Sequence, residues 1–286
     1  MKAEFGHQLQ RLSGYAAGFI LFFAPTALFQ RAVLYLLGEN FEPTIHTLCF
    51  RIPIEHMLSG RFSLMGTAAA VGTILLLGIA FFFGPLFCGK LCPAGAAPEY
   101  ISKLLPARVK INWSRYVSIP PLRYGYLAGF MAAPLAGGYL ACAYCNYYVF
   151  DLLVNYSLRG HIVAFSSSLL LTLLFWLFLF GVFTQGGRGF CNFFCPVGAL
   201  QNLFYYAGRS FSLARSLQVD PDKCINCGIC IQQCPMTCMG TAGGTVQSNV
   251  HHCILCLECV AYCPCRAIRY GNRKEAQTCC KSIASG

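Results

Sequence analysis

Four long apolar stretches, Tyr15–Leu37, Leu64–Phe87, Tyr124–Cys142 and His161–Phe183, alternate with short polar segments over the first two thirds of the chain. Each approaches or reaches the ~20 residues a helix needs to cross a hydrocarbon core. The pattern therefore predicts an all-α membrane anchor of four transmembrane helices, arranged as two repeated hairpins over residues 1–201. Pro25 falls in the first stretch, and Pro134 and several glycines in the third. Membrane helices tolerate such residues where neighbours satisfy the backbone. Arg31, near the end of the first stretch, reads as snorkelling to the interface. Beyond residue 201 the pattern changes: 202–219 is a mixed linker, 220–271 a small cysteine-rich α+β domain, and 272–286 a polar tail.

Composition agrees with an anchor, since 56% of the residues are hydrophobic and 11% charged, far from a soluble average. The net charge of +11 forms no stripe or run, which argues against nucleic acid as a partner. Lys and Arg number two before the first stretch, six between the second and third and nine after the fourth, against three in the other two loops. That bias predicts a multi-pass protein of the cytoplasmic (inner) membrane with both termini inside. The first apolar run is too long for a cleavable signal peptide and is expected to remain.

The chain has nineteen cysteines. Cys224–Pro235 reads CINCGICIQQCP and Cys253–Pro264 reads CILCLECVAYCP. Each is C-x2-C-x2-C-x3-C-P, in which three thiolates of one run and the fourth of the other hold one [4Fe–4S] cluster. The spacing assigns Cys224, Cys227, Cys230 and Cys263 to one cluster, and Cys253, Cys256, Cys259 and Cys234 to a second, in a bacterial-type 2[4Fe–4S] ferredoxin domain. Zinc is the alternative, but its sites use paired C-x2-C elements without the further cysteines. Thiolate ligands need a reducing compartment, in keeping with a cytoplasmic C-terminus.

A second repeat lies upstream. FCGKLCPAGAA and FCNFFCPVGAL share F-C-x3-C-P-x-G-A, their first cysteines 103 residues apart. Two similar hairpins would bring Cys88, Cys92, Cys191 and Cys195 to one place, a complete ligand set for a third cluster, with zinc or free packed thiols as the alternatives. Cys238 and Cys265 are extra to the ferredoxin pattern and are expected to pack beside a cluster. Cys279 and Cys280 read as exposed tail thiols, and His251 and His252 as solvent-facing. On the outer side of the expected anchor lie Cys49, Cys142 and Cys145, for which a disulfide, a redox dithiol and a metal site all remain open. Nearby His46, Glu55 and His56 are candidates for a quinone head group, and equally for ordinary loop residues.

With Cys88–Pro93, Cys191–Pro196 and the two four-cysteine runs in view, the chain resembles the NapH-type membrane polyferredoxins and the C-terminal half of NosR proteins. The resemblance implies a role in passing electrons between the quinone pool and iron–sulfur or haem partners of a respiratory reductase: ferredoxin-like, cytochrome or reductase subunits. The residues themselves show no nucleophile–base pair, phosphate-cradling glycine loop or C-x-x-C-H haem attachment, so an electron-transfer subunit is expected and no catalytic residue is assigned. Two other roles stay open: a transmembrane thiol–disulfide reductant acting through Cys142 and Cys145, and an iron–sulfur redox sensor.

Overall fold

The computed structural model describes residues 2–23, 26–36, 38, 64–133, 145–158, 167–211 and 213–272. Helices α1 (Lys2–Phe22), α2 (Leu28–Leu36) and α3 (Leu64–Phe83) are followed by a π-helical turn over Phe87–Leu91 and by α4 (Pro93–Lys103). Next come α5 (Ile119–Ala132), α6 (Asn146–Leu158) and α7 (Ser167–Leu173), which runs on as a π-helical stretch Leu174–Val182, then α8 (Gly189–Phe193) and α9 (Pro196–Gly208).

The expected four-span anchor is overturned. Among the described residues, no helix is long and apolar enough to cross a membrane. The first apolar stretch is two helices, with Ala27 at φ 37° between them. The second ends as a regular helix at Phe83, because Gly84 turns at φ 74°. Among the described residues, the third and fourth stretches contain α5 and the short α7 with its π-helical extension. Counting apolar length does not register such breaks. The multi-pass inner-membrane location and the placement of both termini, which rested on those spans, fall with them.

What the helices build is a packed body. One core gathers Phe23, Ala94, Val149, Leu152, Trp176 and Phe190, where the Trp176 indole donates to the Ala94 carbonyl at 3.2 Å, and a larger one joins Leu76, Phe87 and Tyr205 of the helices to the cysteine-rich domain. The helix α3 lies along α9, which in turn packs on α5. Outward-facing Ile74, Leu75 and Ile79 of α3 are exposed.

The ferredoxin domain is a small α+β unit. Strand β1 (Arg215–Val219) pairs antiparallel with β4 (Ile268–Asn272), from Arg215 opposite Asn272 to Val219 opposite Ile268. The strand thus begins within the segment read as a linker. Strands β2 (Met239–Ala242) and β3 (Thr245–Ser248) form a hairpin closed by Gly243 and Gly244, at φ 59° and 79°. A two-residue turn with both central residues at positive φ matches the twist of the strands. Single-turn helices α10 (Ile229–Gln232) and α11 (Glu258–Ala261) carry the third cysteine of each run.

Candidate metal centre

The duplicated motif folds the same way twice. Cys92 and Cys195 are N-caps of α4 and α9, at φ/ψ −85°/103° and −83°/108°. Pro93 and Pro196 follow at the first helical position, where the missing N–H is harmless and the fixed φ suits the helix. Each sulfur therefore sits at the positive end of a helix that favours anionic groups. The Gly198 N–H donates to Cys195 Sγ at 3.4 Å, and Gln201 Nε2 to Cys88 Sγ at 3.2 Å. The motif's glycine makes room for cations. A Cβ on Gly95 would stand 2.7 Å from Arg188 Nη1, and one on Gly198 would stand 3.0 Å from Arg123 Nη2.

Cys88, Cys92, Cys191 and Cys195 line one enclosed cavity together with Arg123, Arg188, Cys145, Tyr147 and Ile254. Its volume is about 30 Å³, above the roughly 10–15 Å³ that admits a single water on the same measure. Burial pushes all four thiols up, Cys92 to about 11 despite Arg188 beside it, with neighbouring cysteines adding to the rise at Cys88 and Cys191. Coordination to iron removes the thiol proton and reverses that logic. Four thiols, two helix N-termini and two guanidinium groups around one cavity fit an anionic iron–sulfur cluster.

The structure brings part of the ferredoxin cysteines together. Cys234, Cys253, Cys256 and Cys259 line a second small cavity, with Ile254 and Leu255. Burial, then Cys256, Cys253 and Cys234, push Cys259 up. Cys256 is pushed to about 12 by burial, with Arg11 opposing. In the other set Cys230 is raised by burial and by neighbouring Cys227 and Cys263. Among the described residues, no three His, Cys, Asp or Glu side chains draw together around a single metal ion. A four-iron cluster, with iron corners between its thiolates, holds them farther apart than one ion does. Cys238 packs 3.4 Å from Cys234 and Cys265 3.7 Å from Cys263, sulfur to sulfur.

The two parts are docked through these loops. A Cβ on Gly89 would come 2.3 Å from the Ile254 carbonyl oxygen and 2.9 Å from Cys256 N, so only glycine lets the Cys253–Cys256 loop lie on the first C-x3-C turn. Asn202 Nδ2 donates to the carbonyls of Val250 and Cys253, both at 2.7 Å, and Asn192 Nδ2 to that of Met236 at 2.8 Å. Ile254 lines both cavities, so one residue forms the wall between them.

A buried ionic network, absent from the sequence reading, joins the same parts. Arg188 donates through Nε to Glu99 at 2.5 Å, through Nη1 to the Cys88 carbonyl at 2.7 Å and through Nη2 to the Tyr15 hydroxyl at 2.8 Å. Arg11 pairs with Glu258 and donates to Glu99 at 3.0 Å and to Tyr15 at 2.6 Å. Burial pushes Glu99 up, but Arg188, Arg11 and Lys103 together outweigh it and hold the carboxyl at about 2. Each of these arginines is 1% exposed, as is Arg123. In the sequence Arg11 and Arg188 stand among polar residues and glycines, HQLQRLSG and TQGGRGF, with nothing to mark them as buried.

Cys145, expected on the far side of an anchor, instead lines the quartet cavity. Cys49, Cys142, His46, Glu55, His56, Cys279 and Cys280 lie outside the described residues. His252 is buried rather than solvent-facing, and His251 is partly covered, its ring stacked near Tyr206 and hydrogen-bonded to the Tyr124 hydroxyl at 2.9 Å.

A 4Fe–4S binding domain matches residues 65–112 and again 168–213, one copy around each C-x3-C-P turn, and a 4Fe–4S dicluster domain matches 216–264. This defines an iron–sulfur electron-transfer protein: a duplicated cluster-binding unit followed by a dicluster ferredoxin domain. The chain is 28% identical to the ferredoxin-type protein NapH of Escherichia coli, over 73% of this chain and 69% of the relative. It is 30% identical to the methylamine utilization ferredoxin-type protein MauN of Paracoccus denitrificans, over 59% and 55%. An uncharacterised protein of Methanocaldococcus jannaschii is 28% identical over 71% of both chains. These likenesses bear out the resemblance to NapH-type polyferredoxins. No solved structure matches the chain.

Proposed function

We propose that the chain holds three [4Fe–4S] clusters and relays single electrons between a quinone and a redox partner protein of a respiratory or reductase complex. Cys224, Cys227, Cys230 and Cys263 hold the first, Cys253, Cys256, Cys259 and Cys234 the second, and Cys88, Cys92, Cys191 and Cys195 the third. Each cluster, when bound, supplies one-electron chemistry at a potential set by burial, charge and hydrogen bonds to sulfur. The observation that carries the reading is the meeting of four cysteines from two repeats at one buried cavity, separated by Ile254 from the cavity of the second ferredoxin set. In the first ferredoxin set Cys227 is exposed and Ile225 is 67% exposed, which suits a docking face for a ferredoxin-like, cytochrome or reductase partner. The quinone rests on the resemblance alone.

Anaerobic iron and sulfide analysis tests the cluster count. Three clusters give about 12 iron atoms per chain, and Cys88→Ser should remove one cluster while the ferredoxin signals stay. A value near eight in undamaged protein would strike the third cluster from the reading. The place of Cys145 at the quartet cavity favours, as a second reading, a thiol–disulfide reductant working at that residue.

A further inference from the structure

Arg123 projects from α5 into the lining of the quartet cavity and is 1% exposed. Its Nη1 donates to the carbonyls of Cys191 at 2.6 Å and Asn192 at 2.9 Å, and its Nη2 to Asn202 Oδ1 at 2.7 Å. Among the described residues its Nε has no hydrogen-bond partner. No carboxylate is among these contacts. The opposite side of the cavity differs, since Arg188 is paired with Glu99 and Arg11 with Glu99 and Glu258. Glu99 and Glu258 thus serve those two arginines, whereas among the described residues Arg123 forms no ion pair.

A guanidinium does not lose its proton in a protein. Burying one without a counter-charge is costly, because carbonyl and amide dipoles replace only part of its hydration. Among the described residues no carboxylate pairs with it, and the negative charge nearest to hand is that of a group held by the four cysteines it faces across the cavity. Gly198 keeps this arrangement close, since a Cβ there would crowd the Arg123 guanidinium at 3.0 Å and lie in contact with Cys195 Sγ at 3.7 Å.

We propose that Arg123 is the counter-ion of the quartet site, and that its charge both anchors the anionic group bound there and raises the reduction potential of that site. The proposal rests on the three-cluster reading. Adding an electron to an anion in a cavity of low dielectric is opposed by its own charge, and a fixed cation at contact distance offsets that opposition. At the second ferredoxin set the cation acting on Cys256 is Arg11, which is already paired with two carboxylates.

The test is a redox titration of the whole protein followed by electron paramagnetic resonance, with iron analysis alongside. Arg123→Gln keeps hydrogen-bonding capacity but loses the charge. It should lower the midpoint of the quartet signal and leave both ferredoxin signals where they were, with Arg123→Lys recovering part of the shift. An unmoved quartet midpoint at full iron content would overturn the proposal. If Arg123→Gln loses the quartet iron altogether, retention by Arg123→Lys supports the counter-ion and loss in both variants overturns it in favour of a purely geometric role. A shortfall of iron in the unsubstituted protein is a separate result, which removes the third cluster itself.

Discussion

Cys145 shares a cavity with four other cysteines, and the chemistry of the site turns on whether it is a ligand or a bystander. Four thiolates complete a [4Fe–4S] cluster, and the two C-x3-C-P turns supply four with matched backbone geometry. Cys145, preceding α6, has no counterpart in the repeat. Cys145→Ala should therefore leave iron at its full value and the quartet signal unchanged. Loss of about four iron atoms per chain, one cluster's content, would instead make Cys145 a ligand. A mixed disulfide trapped on Cys145 with a disulfide probe, abolished by the substitution, would strengthen the reductant reading. The twelve ferredoxin and repeat cysteines were legible in the sequence because ligand spacing is a local property of the chain. Arg11, Glu99, Arg123, Arg188 and Glu258 were not. A buried arginine and a loop arginine are the same letter, and only their partners, as many as 247 residues away for Arg11 and Glu258, tell them apart.

At the scale of elements, the π-helical turn Phe87–Leu91 and the Cys253–Cys256 loop determine how close the two cavities lie. Their contact is backbone against backbone at Gly89, with no flexible side chain to yield. Gly89→Ala should force the loop away, at a cost of about 1–3 kcal/mol, the usual range for overpacking. A lowered thermal midpoint of the cluster-loaded protein is the expected measurement, along with weaker magnetic interaction between the quartet and its neighbour. Gly78, at which a Cβ meets nothing within 4 Å, serves as the control, and an equal loss at both positions would refute the docking role. The apolar stretches show where the sequence misleads. Leu64–Phe87 has the length of a span, yet its last residues turn at Gly84 to build this contact. Likewise Arg215–Val219 was read as linker, because a five-residue strand declares itself only through a partner more than fifty residues on.

For the whole molecule, Glu99 is the hub. It accepts from Arg11 and Arg188 and stands 3.4 Å from Lys103, so it ties α1, α4 and the chain before α8 to one another and, through Arg11, to Glu258 of the ferredoxin domain. Removing one member of a buried ionic set typically costs about 3–5 kcal/mol, because the others keep their charge. Glu99→Gln should lower stability by that order, measured as the denaturant midpoint of the loaded protein, whereas Asp220→Asn, at a partly exposed pair with Lys223, should change it far less. Similar small losses in both variants would show that the network does not hold the parts together.

The helix α1 also has a consequence for how the protein is made. His7, Gln8 and Arg11 bind the Cys256 carbonyl and the Glu258 carboxylate, which lie some 250 residues later in the chain and are made after them. Ile254, which closes one side of the quartet cavity, arrives equally late. Until then the helical body presents its four thiols without their lid, and contacts of such long sequence separation form slowly. The arrival of the ferredoxin domain thus closes the cavity and adds Glu258 to the pairing that Glu99 already gives Arg11, in a single late docking event.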